Sequence, residues 1–231
     1  MQDSELNIDI LFTLGPIEIS NTVVTTWGIM FVLGLFSWLM TRRLSSSSST
    51  TQSALEAIVL SIETAVKNVA PQQAKQLIPF IGSLWILLVL SNLIGLIPGL
   101  HSPTRDFSAT AALAVIVFLS VHWFGIRILG LKAYLHHFLS PSPLLLPFNL
   151  ISEITRTIAL AVRLFGNMMS LEMTALLILL VAGFLAPIPI LLLHVIEALV
   201  QAYIFGMLAL VYIAGGIQAQ TLKKTHQQTQ E

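Results

Sequence analysis

Arg163, Asn167 and Glu172 lie within the run ALAVRLFGNMMSLEMTALLILLVAGFLA, which is otherwise suited to hydrocarbon. Arginine stays protonated at any physiological pH, so it cannot escape burial by becoming neutral. On a helix turning about 100° per residue, Arg156 falls almost on the face of Arg163, and Asn167 shares that stripe. Glu172 lies on the opposite side, and Glu153 precedes Arg156 by a spacing that allows an ion pair. Further along, His194, Glu197 and Gln201 are spaced to share one helix face. Ionisable groups at membrane depth are costly and mark ion paths or proton relays. A permanent cation repels cations along its own face, while an acid–histidine cluster can hold water and pass protons on. The set therefore reads as an ion path with an electrostatic barrier. Plainer alternatives stand beside it: a structural pair of Arg163 with Glu172 or Glu197, interhelical hydrogen bonds at Asn92 and Asn167, and a solvated loop pair of Asp106 with Arg105.

Such groups need a scaffold, and the composition says which kind. Of 231 residues, 55% are hydrophobic and only 10% charged. A soluble domain carries about 25% charged residues, so this chain has too few to cover a globular surface. Long apolar runs make it an all-α membrane protein. The formal net charge is zero, and nothing suggests a nucleic-acid partner. The chain has no cysteine, which excludes disulfides, thiol catalysis and cysteine-ligated metals. His101, His122, His136 and His137 form no metal-ligand pattern, and no metal or other cofactor is expected. No GxxxxGK[ST] loop is present, so nucleotide chemistry is not expected of this chain.

Apolar runs of roughly 20 residues, the length a bilayer needs, predict about five transmembrane helices, near 22–41, 78–98, 107–126, 146–184 and 188–219. Residues 53–70 scatter Glu56, Glu63 and Lys67 among apolar residues and are expected to lie at the interface. LKAYLHHFLSPSPLLLP is a second interfacial piece. The whole of 1–231 reads as a single integral membrane domain: an outside N-terminal segment (1–21), peripheral helices (22–145), an ion-translocating hairpin (146–219) and a cytoplasmic tail (220–231). Lysines and arginines in the short loops place the N-terminus outside and the C-terminus in the cytoplasm, with Arg105 as the one exception. The acidic N-terminus lacks the basic region of a cleavable signal or transit peptide, which favours a bacterial plasma membrane over an organelle inner or thylakoid membrane. No internal repeat is visible, which weakens the rival reading of a self-contained ion channel or secondary transporter. A helix over 146–184 is about 58 Å long, nearly twice the hydrocarbon thickness, so it must tilt steeply. Two such helices in a hairpin suit a protein that wraps another object within the membrane.

RLFGN, followed by an acid nine positions after its arginine, closely resembles the subunit a family of the F-type ATP synthase membrane sector. The resemblance continues in ISNTVVTTW, LVLSNLIGLIPG, PTRDFSATAALAVIVFLSVHWFGI, LSPSPLLLPFNLISEI and HVIEALVQAYIFGMLALVYI, and covers about residues 15–218. It implies that Arg163 is the essential stator charge facing the carboxylates of a rotating c-subunit ring. It implies two offset half-channels, with Glu172 and His194 in the one open to the outside and Gln201 close to Arg163. Asn167 and Glu197 join this set, and Asn92, Asp106, Arg156 and Glu153 are further candidates. The implied partners are the c-ring, the peripheral-stalk b subunits, the remainder of the F1Fo complex and membrane lipids. The chain would be a non-catalytic subunit translocating protons or, alternatively, sodium. It departs from the common family pattern in RTIALAVR, where Pro and Ser are frequent, and in carrying Glu197.

Overall fold

The computed structural model describes residues 10–14, 17–42, 50–97, 102–131, 146–182 and 188–228. Helices α1 (Asn21–Arg42), α2 (Thr50–Val69), α3 (Ala74–Leu93), α4 (Phe107–Leu129), α5 (Leu146–Ala182) and α6 (Ile188–Gln228) make up nearly all of it. Five helices are long and apolar enough to cross a membrane: α1, α3, α4, α5 and α6. The chain is thus an all-α membrane protein in its core. Ahead of α1, strands β1 (Ile10–Leu14) and β2 (Ile17–Ser20) form an antiparallel pair, with Leu14 opposite Ile17 and Ile10 opposite Ser20. This ribbon was not foreseen, because two alternating stretches of four or five residues are short beside the helical runs. The serine tract at 45–49 and the piece at 132–145 lie outside the described residues, as do His101, His136 and His137.

Local chemistry sets the helix ends that matter. The Asp106 carboxylate accepts from the Ser108 N–H at 2.9 Å and caps α4, and Gly130, at φ +84°, closes it. The α3–α4 corner is tightened by two 3₁₀ turns, Ile94–Leu96 and Pro103–Arg105.

The core lies between α3, α4, α5 and α6. Leu77, Ile81, Leu84 and Leu88 of α3 meet Phe205, Ala209, Leu210 and Ile213 of α6, with Leu160 and Leu164 of α5 behind them. Four alanines of α6, Ala198, Ala202, Ala209 and Ala214, are buried, and their small side chains let neighbouring helices approach closely. Gly206 is the extreme case: a Cβ there would run into the Trp85 indole, which stacks on Tyr203 at 5.8 Å and donates to the Tyr203 carbonyl at 3.3 Å. By contrast only 6% of the apolar window of α1 is buried, against 44% for α3. α1 therefore turns its apolar side chains outward, as a lipid-facing helix does. α2 carries its charges on an exposed side, with Lys67 bound to Glu63 at 2.6 Å, while Val66 packs inward.

α5 has 37 residues and α6 has 41, so both exceed the roughly 20 a perpendicular crossing needs. They run antiparallel: Asn167 meets Gln201, and one end along Arg156 meets Tyr212. α4 is likewise antiparallel to α5, through Phe107 with Phe165 and His122 with Glu153. These registers fix which polar groups come together.

Candidate ion path

Arg163 sits on an exposed part of α5, and among the described residues no carboxylate pairs with it. The structural pair with Glu172 or Glu197 is therefore not formed. Ala159, one turn before Arg163, and Gly166 and Ser170, which follow it along the same exposed stripe, are small. A Cβ on Gly166 would meet nothing within 4 Å. The guanidinium thus projects from a low, open surface between two polar clusters.

The first cluster lies at the α3–α4 corner. Glu172 accepts from the Arg105 guanidinium at 2.9 Å, with both side chains about a quarter exposed or less (20% and 26%). The solvated pairing of Arg105 with Asp106 is thus corrected: Asp106 is occupied in capping α4, and its Oδ2 is buried without a hydrogen bond. His194 is buried, and Glu172 and Glu197 both lie close enough to act on it electrostatically. Its Nε2 has no hydrogen-bond partner among the described residues. A buried imidazole with an unengaged nitrogen beside two acids is suited to exchanging a proton. Behind it runs a buried hydroxyl–amide chain. Ser102 donates to the Ser91 carbonyl at 2.7 Å and contacts Thr104 Oγ1 at 2.7 Å, and Thr104 donates to Asn92 Oδ1 at 2.8 Å. Asn92 donates in turn to the Ala198 carbonyl at 3.1 Å, which ties the corner to α6 next to Glu197.

Between this cluster and Arg163, Asn167 donates to Gln201 Oε1 at 2.7 Å. Asn92 and Asn167 thus bridge helices, as interhelical hydrogen-bond residues do. Gln201 is buried, and its Nε2 has no hydrogen-bond partner among the described residues.

The second cluster is at the other end. His122 Nδ1 lies 2.9 Å from the Phe118 carbonyl, which can only accept, so Nδ1 carries the proton and donates. His122 Nε2 then faces Glu153 Oε2 at 3.3 Å. Glu153 and Arg156 form no salt bridge among the described residues: the guanidinium of Arg156 lies 5.6 Å over the Tyr212 ring, still near enough to act on Glu153. His122, Glu153, Arg156, Thr157 and Tyr212 line a cavity of about 60 Å³. That is well above the roughly 10–15 Å³ that one water needs, so the cavity can hold water. Glu153 Oε2, buried and without a hydrogen bond, gives such water an anchor.

The candidates therefore divide three ways. Glu172, His194, Glu197 and Asn92 gather at the corner. Glu153 and Arg156 gather at the other end. Arg163, Asn167 and Gln201 lie between, and Asp106 is a cap beside the corner. Sequence reasoning gave Arg105 only a loop pair with Asp106, gave Ser102 and Thr104 no role, and left His122 without one. One signal for Arg105 was present: it is the cation that breaks the loop-charge pattern.

The family profile described as ATP synthase A chain matches residues 23–214. The chain is 62% identical to ATP synthase subunit a 2 of Pelobacter propionicus over 215 residues, covering 93% of this chain and 94% of that one. It is 63% identical to ATP synthase subunit a 1 of Hahella chejuensis over 208 residues, with 90% and 88% covered. Against ATP synthase subunit a of Legionella pneumophila the identity is 56% over 213 residues, with 92% and 93% covered.

Proposed function

The chain belongs to the ATP synthase A chain family, and from that premise we propose how its residues carry ions through the membrane sector. It works as part of the F1Fo complex, as the ion-channel stator subunit, and not as a self-contained transporter. Arg163 is the fixed stator charge. A carboxylate on a passing c-ring subunit loses its proton or sodium ion when it meets Arg163, because the adjacent cation stabilises the anion, all the more strongly where water is scarce. The same charge stops ions from leaking directly between the two access paths.

The observation that carries this reading is the outward-facing guanidinium, unpaired among the described residues, with the small Ala159 and Gly166 one turn to either side of it. A permanent cation facing hydrocarbon is costly, so the surface calls for a partner that supplies acids and passes close by. The corner cluster of Glu172, His194, Glu197 and Asn92 serves as the half-channel open to the outside. The cavity around His122, Glu153 and Arg156 serves as the cytoplasmic one. Asn167 and Gln201 hold the two long helices together where Arg163 must stay in place. The N-terminus lies outside and the C-terminus in the cytoplasm, in keeping with the basic loops. Within 1–231, the hairpin 146–219 packs against the ring, and the peripheral helices of 22–145 offer surface to the b subunits.

Inverted vesicles carrying the complex with Arg163→Ala test this. They should assemble normally and build no ATP-driven ion gradient. Arg163→Lys should fail or nearly fail, since a desolvated ammonium can lose its proton and lacks the planar fork. A normal gradient in the alanine variant defeats the reading.

A further inference from the structure

The corner cluster holds a cation that the half-channel reading does not use. Arg105 comes from the 3₁₀ turn Pro103–Arg105, and its guanidinium donates to Glu172 Oε1 at 2.9 Å across to α5. Its chain neighbour Asp106 is committed to the first turn of α4. The turn itself is pinned from both sides. Thr104, fully buried, is bonded to Asn92, and Ser102 is bonded to the Ser91 carbonyl. Gly95 leaves the space that Ser102 needs, since a Cβ there would come within 3.0 Å of the serine Cβ. Arg105 is therefore delivered to Glu172 by a rigid corner rather than by a free loop.

We infer that Arg105 is a positioning residue of the outer half-channel, which fixes Glu172 and keeps that carboxylate from trapping the transported cation. The inference rests on the half-channel reading above. The groups facing Glu172 include Arg105 from the corner and His194 from α6, on which Glu197 also acts. Two acids and one histidine without a fixed cation would make a strongly anionic pocket that binds protons or sodium too tightly to release them. One guanidinium beside Glu172 cancels much of that attraction. Arg105 also pins the Glu172 carboxylate at the corner, on the face of α5 that helix periodicity already turns away from Arg163.

This differs from a purely structural tie in what happens to ion affinity. With Arg105→Gln, Glu172 loses the cation that it is paired with in the structure. Ion-driven ATP synthesis by vesicles of the whole complex is measured against the outer concentration of the coupling ion, proton or sodium, and expressed per assembled complex. The half-saturating concentration should fall about tenfold or more, the effect of removing one cation from beside a carboxylate, and the maximal rate should fall with it. Arg105→Lys should keep the half-saturation near wild type. Arg105→Gln combined with Glu172→Gln should abolish the fall, because the carboxylate that traps the ion is gone. The exchanged pair Arg105→Glu with Glu172→Arg keeps the tie if either single change disturbs assembly, and should restore a maximal rate above that of both single variants. An unchanged half-saturation in Arg105→Gln, an equal fall in the Glu172→Gln background, or an exchanged pair no better than the singles overturns the inference. If Glu172→Gln impairs transport while Arg105→Gln behaves as wild type, only this inference fails. If Glu172→Gln itself behaves as wild type, the half-channel reading fails with it.

Discussion

Asn167→Leu removes the donor that engages Gln201 Oε1 at 2.7 Å and leaves a nearly isosteric apolar side chain. Gln201 is only 1% exposed, and its Nε2 already lacks a partner, so the variant orphans the whole amide. An unsatisfied buried polar group costs about 1–3 kcal/mol, whereas interhelical hydrogen bonds in membranes average about 0.6 and reach about 1.7 kcal/mol. Because Gln201 has no second donor among the described residues, a value near the upper membrane figure, about 1.5–2 kcal/mol, is expected here. Gln201→Met alone should cost less, since the remaining Asn167 is only half-buried and can reach water. The double variant removes both polar partners, so its stability should return close to wild type. At roughly 2–4 °C per kcal/mol for a chain of this size, thermal release of the subunit from the purified complex should drop by about 3–8 °C in Asn167→Leu and recover in the double variant. ATP-driven pumping should not recover with it, because the polar bridge one turn from Arg163 is still missing. A wild-type transition for Asn167→Leu, or a double variant as unstable as that single, refutes the reasoning.

Gly206→Ala should destabilise the complex by about 1–3 kcal/mol through overpacking against Trp85. Trp85→Phe should relieve most of that cost, while losing the bond to the Tyr203 carbonyl and part of the buried indole; strictly additive melting shifts count against it. Glu153→Gln and His122→Gln should each slow ATP-driven gradient formation. Because the two side chains act as one dyad, the double variant should be no worse than the worse single, and multiplying effects would show that they act apart. Glu172→Gln and Glu197→Gln should each slow transport without stopping it. Their combination should cost far more than the product of the two, since each acid can relay to His194 alone; wild-type behaviour of all three variants excludes a shared relay.

What the sequence revealed and what it hid follow from the range of the forces involved. Apolar runs decide which segments enter lipid, so the five spans and the excess length of α5 and α6 were readable before any contact was known. The relation of Arg163 to Glu172 was also readable, because it depends only on helix periodicity, and the structure keeps them on opposite sides. Pairings between helices were not readable. Glu153 has Arg156 at a favourable spacing on its own helix, yet packing of α4 against α5 brings His122 to 3.3 Å and leaves Arg156 over Tyr212. Arg105 has Asp106 beside it in the chain, but Asp-Phe-Ser is also a helix start, and an orphan backbone N–H competes for the same carboxylate. Capping uses a short side chain at its own position, whereas an arginine can reach across to another helix. The local bond therefore takes the aspartate and sends the guanidinium to Glu172. Had the loop-charge rule been read as a constraint rather than a tendency, the one cation that breaks it, Arg105, would have pointed to an acid awaiting it within the membrane.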